Sequence, residues 1–246
     1  MTLKNTKNVM NTKQNCPLIS VVVATFNCGS AIREMLDSYK AQSYSNKELI
    51  LIDGGSSDNT IDVVKEYQDY ITYMISEPDR GVYDAINKGM AHAHGDFLIV
   101  MGADDHFISS SVLSDVAGHI SDMNMVYYGD VYRNARNDLY RGRFNKWFLA
   151  CENICHQAIF YPRSVYSINQ YDLSFPVFAD YVYNIRLWDK VGFRYIPVCV
   201  SCYNCTGMSG AGTRDSEKYS PAFFDEVRKH LGFSCFLLRR MYKLTK

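Results

Sequence analysis

The stretch Leu18 to Phe26, LISVVVATF, constrains the fold of this chain more than any other. It is β-branched and almost wholly apolar, and a strand of that kind is stable only when both of its faces are covered, as in the centre of a parallel sheet. Glu48 to Asp53 (ELILID) and Phe97 to Met101 (FLIVM) repeat the pattern. Between the first two, Ile32, Met35, Leu36 and Tyr39 recur at helical spacing behind a turn from Asn27 to Ser30, with Ser30 as the expected cap. Ile61, Val64 and Tyr67 predict a second helix, Tyr70 to Ile75 a third and shorter strand, and Val82 to His94 a third helix. This alternation predicts an α/β fold: a mostly parallel, Rossmann-like nucleotide-binding sheet with helices on both faces and right-handed crossovers.

The 246 residues, 47% of them hydrophobic, suffice for a sizeable core. Lys and Arg balance Asp and Glu at 26 each, so no nucleic-acid partner is expected. No run is long and apolar enough to span a bilayer. The start of the chain is rich in Asn, Lys and Thr and lacks the apolar core of a signal peptide, so the expectation is a cytoplasmic protein with a flexible leader over residues 1–16.

Thr25 to Asn27, Asp53 and the pair Asp104-Asp105 all fall just past the carboxyl ends of expected strands, where open α/β sheets bind ligands. Adjacent carboxylates repel unless one is protonated or a cation sits between them, and hard oxygen ligands suit Mg²⁺ or Mn²⁺, which favour a diphosphate partner. Neither Gly-x-Gly-x-x-Gly nor Gly-x-x-x-x-Gly-Lys-Ser/Thr is present, which argues against a dinucleotide dehydrogenase and a phosphate-loop NTPase. A site without a glycine-rich cradle but with paired carboxylates is expected to hold a diphosphate through a metal.

The blocks PLISVVVATFN, ELILIDGGSSDNT and SEPDRGVYDAINKGMAHAHGD, followed by Asp104-Asp105, resemble in content and order those of the family 2 glycosyltransferases, which have the type A glycosyltransferase fold. The resemblance is densest over residues 17 to 110 and extends to about residue 210. It implies a nucleotide diphosphate sugar donor, a divalent metal (Mn²⁺ or Mg²⁺) and transfer with inversion. It also implies that Thr25, Asn27, Asp53 and Arg80 surround the nucleoside while Asp104 and Asp105 bind metal and ribose. Two positions depart from the pattern: Gly102 stands where a first metal-motif Asp is common, and Gly54 where many relatives carry a second Asp.

On this reading residues 17–110 form the donor half, 111–212 the acceptor and catalytic half, and 213–246 a basic tail. His156 and Gln157 open an apolar strand and match a block that often reads His-Gln, an expected acceptor or diphosphate contact. Asp180, a lone acid in FADYVY, sits where relatives carry the catalytic base, and the competing Asp172 reads as a turn residue. Gly207 and Ser209 resemble the Gly-Gly-x-Ser loop that closes over donor or acceptor. From Glu226 to Lys246 six cations (Arg228, Lys229, Arg239, Arg240, Lys243, Lys246) face one acid, interleaved with Leu231, Phe233, Phe236, Leu237, Leu238, Met241 and Tyr242, which predicts an amphipathic helix on an anionic membrane surface. The expected activity is transfer of a hexose, glucose or galactose from UDP, to a lipid-linked glycan at the inner face of a bacterial membrane, similar to O-antigen and capsule enzymes. A sugar-nucleotide-binding protein without turnover and a sugar nucleotidyltransferase remain open at this point.

Overall fold

The computed structural model of the chain describes residues 16–140, 142–204, 217 and 220–244. Residues 1–15 of the expected leader and the loop residues Gly207 and Ser209 lie outside the described residues. Strand β1 (Ile19–Thr25) is central, with β2 (Lys47–Asp53) parallel on one side and β4 (Phe97–Gly102) parallel on the other. Strand β3 (Tyr73–Ser76) adds in parallel to β2. The unbroken apolar runs are explained by burial on both faces. Val21, Val23, Leu49, Leu51 and Ile99 meet α1 (Ile32–Lys40) and α4 (Val112–His119), whereas Val22, Ile50, Ile52, Leu98 and Val100 lie under α3 (Val82–His92). Each such side chain contributes roughly 1.5–3 kcal/mol of transfer free energy. The α1 cap differs from expectation: the Cys28 carbonyl takes the amides of Ala31 and Ile32 in a backbone turn, and Ala31, not Ser30, stands at the cap position.

Beyond β4 the sheet continues through β8 (Ile159–Pro162), β6 (Val126–Arg133), β9 (Phe193–Tyr203) and β5 (His106–Phe107), with β7 (Asp138–Tyr140) paired to β6. Among the described residues nine strands form one sheet, in the order β3-β2-β1-β4-β8-β6-β9-β5. The β6–β7 hairpin turns at Asn137, whose φ of 52° suits an Asn at a tight turn. The two halves join where β8 runs antiparallel to β4. Register then fixes the site: Thr25 pairs with Asp53, and Ala24 with Gly102, so three strand ends meet at one edge.

The tail is two helices, not one. Gly232, at φ +94°, separates α8 (Pro221–Leu231) from α9 (Phe233–Lys243). Both pack on the domain through Phe223, Val227, Leu231 and Cys235, and one of the expected surface cations, Arg239, is fully buried. Its Nη1 donates to the carbonyls of Ala150 (2.9 Å) and Cys151 (2.8 Å) at the end of α5 (Lys146–Cys151), where a helix leaves carbonyls unpaired and favours a cation.

Candidate active site

A cavity of about 540 Å³ opens at the carboxyl ends of β1 and β4, lined among others by Thr25, Phe26, Asp79, Ala103, Asp104 and His156. Thr25 enters it from the end of β1 as expected, its hydroxyl 2.7 Å from Cys28 Sγ. Asn27 adopts φ 47° and turns its Oδ1 onto the amide of Ser57 (2.8 Å), so it holds two loops together instead of lining the cavity. Asp53, expected beside the nucleoside, is likewise not among the residues lining the cavity. It is fully buried, Oδ2 accepts from the amide of Ser56 (2.9 Å), the amide of Gly55 (3.1 Å) and Ser76 Oγ (2.6 Å), and Oδ1 accepts from Ser56 Oγ (2.5 Å). A carboxylate so supplied organises the Gly54-Gly55 turn. Arg80 pairs with Asp84 (2.8 Å) at the start of α3, its side chain 77% exposed, on the loop whose neighbours Asp79 and Gly81 line the cavity.

Two further residues, neither of them among the expected contacts, line the cavity. Phe26 is a large aromatic left 61% exposed at the cavity wall. Asp79 Oδ2 lies 2.4 Å from where a Cβ on Gly54 would stand, so the space left by a missing side chain at 54 is taken by a carboxylate from the next loop. The signal for Phe26 was an aromatic directly after a buried strand; Asp79 reads from sequence as a candidate ion-pair partner orienting Arg80, a place that Asp84 takes.

Asp104 and Asp105 differ in role although they are neighbours. Asp105 is 2% exposed, with Oδ2 accepting from Gln157 Nε2 (2.6 Å) and Oδ1 from the Asn204 amide (2.9 Å). Burial pushes its carboxyl up, the Asn204 and Gln157 donors pull it down and the Asp104 charge adds to the rise, leaving it above its ordinary value. Asp104 is partly exposed at the cavity. A Cβ on Gly102 would lie 2.4 Å from Asp105 Oδ2 and 3.2 Å from Asp104 Oδ1, so carboxylate oxygens of both residues converge on the space that glycine leaves open. Among the described residues no three His, Cys, Asp or Glu side chains gather at one point. Carboxylate oxygens are the donors that a hard divalent cation prefers, and two residues supply them here.

A second cavity, of about 240 Å³, adjoins the first. It holds Asp180, Asn153, Glu152, Arg136 and Tyr140, and shares Tyr83, His156, Gln157, Val177 and Tyr203 with the larger one. Asp180 sits in the first turn of α7 (Ala179–Leu187), where the helix dipole favours an anion. Its side chain makes no cap; instead Oδ1 accepts from Tyr83 Oη (2.7 Å), and Oδ2 from Asn153 Nδ2 (2.7 Å) and His156 Nδ1 (3.3 Å). Behind Asn153 stands a relay: Asn184 Nδ2 donates to Asn153 Oδ1 (3.0 Å), and Tyr161 Oη donates to Asn184 Oδ1 (2.7 Å). Glu217 accepts the amides of Val177 (3.0 Å) and Phe178 (2.9 Å), fixing the entry to the helix. Burial alone would lower the His156 imidazole, but the hydrogen bond and charge of Asp180, with the Asp105 charge, outweigh it and raise its pKa. Asp172 is the expected turn residue, accepting from Ser174, and also pairs with Arg186 (2.8 Å).

The curled α/β sheet thus carries two adjoining cavities at its strand ends, with Asp79 and Asp104 among the residues lining the larger and Glu152 and Asp180 among those lining the smaller. The chain belongs to glycosyl transferase family 2, whose family model matches residues 20–178, and it has the type A glycosyltransferase fold. It is similar to a PGL/p-HBAD biosynthesis glycosyltransferase of Mycobacterium bovis, 36% identical over 76% of this chain and 77% of that one. An uncharacterized glycosyltransferase of Mycobacterium tuberculosis is 31% identical over 87% of this chain and 83% of its own length. Among solved structures, S. aureus TarS 1-349 in complex with UDP aligns at a TM-score of 0.67 and 16% identity, covering 86% of this chain and 64% of that one. A mannosyltransferase from Pyrobaculum calidifontis, in complex with GDP-Man and Mn²⁺, aligns at 0.65 and 15% identity, covering 94% and 65%. The chain thus spans just under two thirds of these two solved neighbours.

Proposed function

We propose that this chain is an inverting, metal-dependent hexosyltransferase that takes a sugar from a nucleoside diphosphate, with uridine as the base, and places it on a lipid-linked glycan in the assembly of a surface polysaccharide or glycolipid. The observation that carries the proposal is the pair of joined cavities, with Asp104 in the larger and Asp180 in the smaller. A relative named for PGL/p-HBAD biosynthesis supports a glycolipid setting, and TarS bound to UDP and to UDP-GlcNAc supports uridine.

The chemistry follows from the two chambers. The nucleobase stacks on Phe26, with Asp79 as the acceptor for its N–H. Asp104 would hold the divalent cation, which when bound neutralises charge on the diphosphate, and Asp105, anchored by Gln157 and Asn204, fixes the turn that presents it. The acceptor hydroxyl enters the smaller chamber. As its oxygen bonds to the anomeric carbon from the face opposite the leaving diphosphate, its proton passes to Asp180 and the diphosphate departs with the electron pair of the broken bond. A carboxylate has about four acceptor positions, and Tyr83, Asn153 and His156 fill three, leaving one for the hydroxyl. His156 and Gln157, on the shared wall, face both reactants.

The test is calorimetric titration of UDP, GDP and dTDP, each with and without Mn²⁺, into the native chain and Asp104→Ala. Tight binding of UDP that needs both Mn²⁺ and Asp104 is expected. Equal binding with and without Mn²⁺ refutes the metal assignment, and binding of no nucleotide refutes the transferase reading.

A further inference from the structure

Helix α9 has its polarity turned inside out. Its inward face carries Cys235 and the fully buried Arg239, whose guanidinium lies over the Phe223 ring at 4.8 Å and the Tyr181 ring at 5.5 Å. Its outward face carries Phe233 (62% exposed), Leu237 (44%) and Met241 (59%), and Leu244 (86%) follows at the cap. These four are spaced by four, four and three residues, so they form one stripe along the helix. Isolated exposed apolar residues need no explanation, but a continuous stripe on the solvent side of a docked helix does.

Charge identifies what covers it. From Val227 to Leu244 there is no Asp or Glu, whereas Arg228, Lys229, Arg240 and Lys243 are all exposed. A second copy pairing through the same stripe would bring like charges together, while an anionic lipid surface takes the apolar stripe among its chains and the cations at its headgroups. Helix α5, packed against α9 through the contact of Arg239 with Ala150 and Cys151, adds exposed Lys146, Trp147 (44%) and Phe148 (39%), and Trp is suited to the headgroup level. No helix among the described residues is long and apolar enough to cross a membrane, so the contact is in the plane of the surface.

We infer that α9, with the exposed end of α5, docks this protein flat on an anionic bilayer. The same elements adjoin the acceptor chamber: Tyr242 of α9 donates to Glu152, which with Asn153 follows α5 directly and lines that cavity. Docking therefore sets the acceptor opening beside the lipid surface, where an acceptor carried on a lipid is delivered. The docking itself does not rest on the transferase reading, because it is read without substrate.

The experiment is co-sedimentation of the full chain with vesicles of phosphatidylcholine, alone or mixed with phosphatidylglycerol, beside the variants Phe233→Ser/Leu237→Ser/Met241→Ser and Arg240→Glu/Arg228→Glu. All these side chains are exposed, and thermal midpoints and UDP binding report that each variant is folded. Binding to the mixed vesicles that weakens with salt, falls more than about tenfold in the serine variant and falls also in the charge-reversed variant is expected. Failure of the native chain to bind mixed vesicles overturns the inference, as does binding unchanged in the serine variant. A native dimer that the serine variant converts to monomer, seen by light scattering, also overturns it by assigning the stripe to a second copy.

Discussion

Gly102→Asp, which places a carboxylate where the family resemblance leads one to expect it, should damage this protein and not improve it. The Cβ alone would fall 2.4 Å from Asp105 Oδ2, a distance at which something must move. The strand backbone at 102 is held by its neighbour β1, so Asp105 has to yield. It is 2% exposed and keeps its place through two donors, Gln157 Nε2 at 2.6 Å and the Asn204 amide at 2.9 Å. Hydrogen bonds to a charged acceptor are worth about 1.5–3 kcal/mol each, so losing both costs about 3–6 kcal/mol and losing one about half of that. For a chain of this size 1 kcal/mol moves the midpoint by about 2–4 °C, so a fall of at least about 3 °C is expected if one bond is lost and at least about 6 °C if both are. Gly102→Ala should show most of the loss, since it adds the colliding atom without the charge, and Mn²⁺-dependent UDP binding should weaken in both. The assays are thermal denaturation followed by circular dichroism, and calorimetry with UDP and Mn²⁺. A Gly102→Asp protein as stable as the native one, binding UDP and Mn²⁺ as well or better, would refute the reasoning.

Two other expectations concern the base platform and the tail. Phe26→Ala removes a stacking surface worth about 1–3 kcal/mol per base, so UDP binding should weaken by about 5- to 150-fold in calorimetry while the thermal midpoint stays within a few degrees, because the ring is 61% exposed. The Arg186 guanidinium, bonded through Nε and Nη2 to Glu226 of α8 at 2.8 Å each, holds that carboxyl below its ordinary range against the opposing effect of burial. A depressed folded-state pKa gives stability that is complete above the unfolded value of about 4.3 and is lost as pH falls through the folded value, so urea midpoints should decline below about pH 4. That part of the decline should vanish in Glu226→Gln, which is also less stable at pH 7.

Much of the fold was legible because burial on both faces writes itself as uninterrupted β-branched runs. β1, β2 and β4 are found where LISVVVATF, ELILID and FLIVM stand, within a residue or two at each end. The crossing of β8 and β9 through the second half was not legible, since pairing of residues such as Leu98 with Tyr161 or Tyr132 with Cys202 leaves no local pattern. The site divides in the same way. The convergence of Thr25, Asp104 and Asp105 follows from strand ends alone. Which carboxylate oxygens are already engaged depends in part on donors far along the chain: Ser76 donates to Asp53 and Gln157 to Asp105, at separations of 23 and 52 residues. The tail shows the limit of composition, because counting cations cannot tell Arg239, sealed over Phe223, from Arg240, exposed one residue later.

The central claim is that Asp180 takes the proton of the acceptor while the donor is held without it. It is tested most directly by comparing native chain and Asp180→Asn for UDP affinity by calorimetry and for release of UDP from a UDP-hexose over bacterial lipid-linked glycans. The account predicts unchanged UDP affinity in the variant and a fall in acceptor-dependent release of about 10²- to 10⁴-fold. Release within a few-fold of the native rate would contradict it.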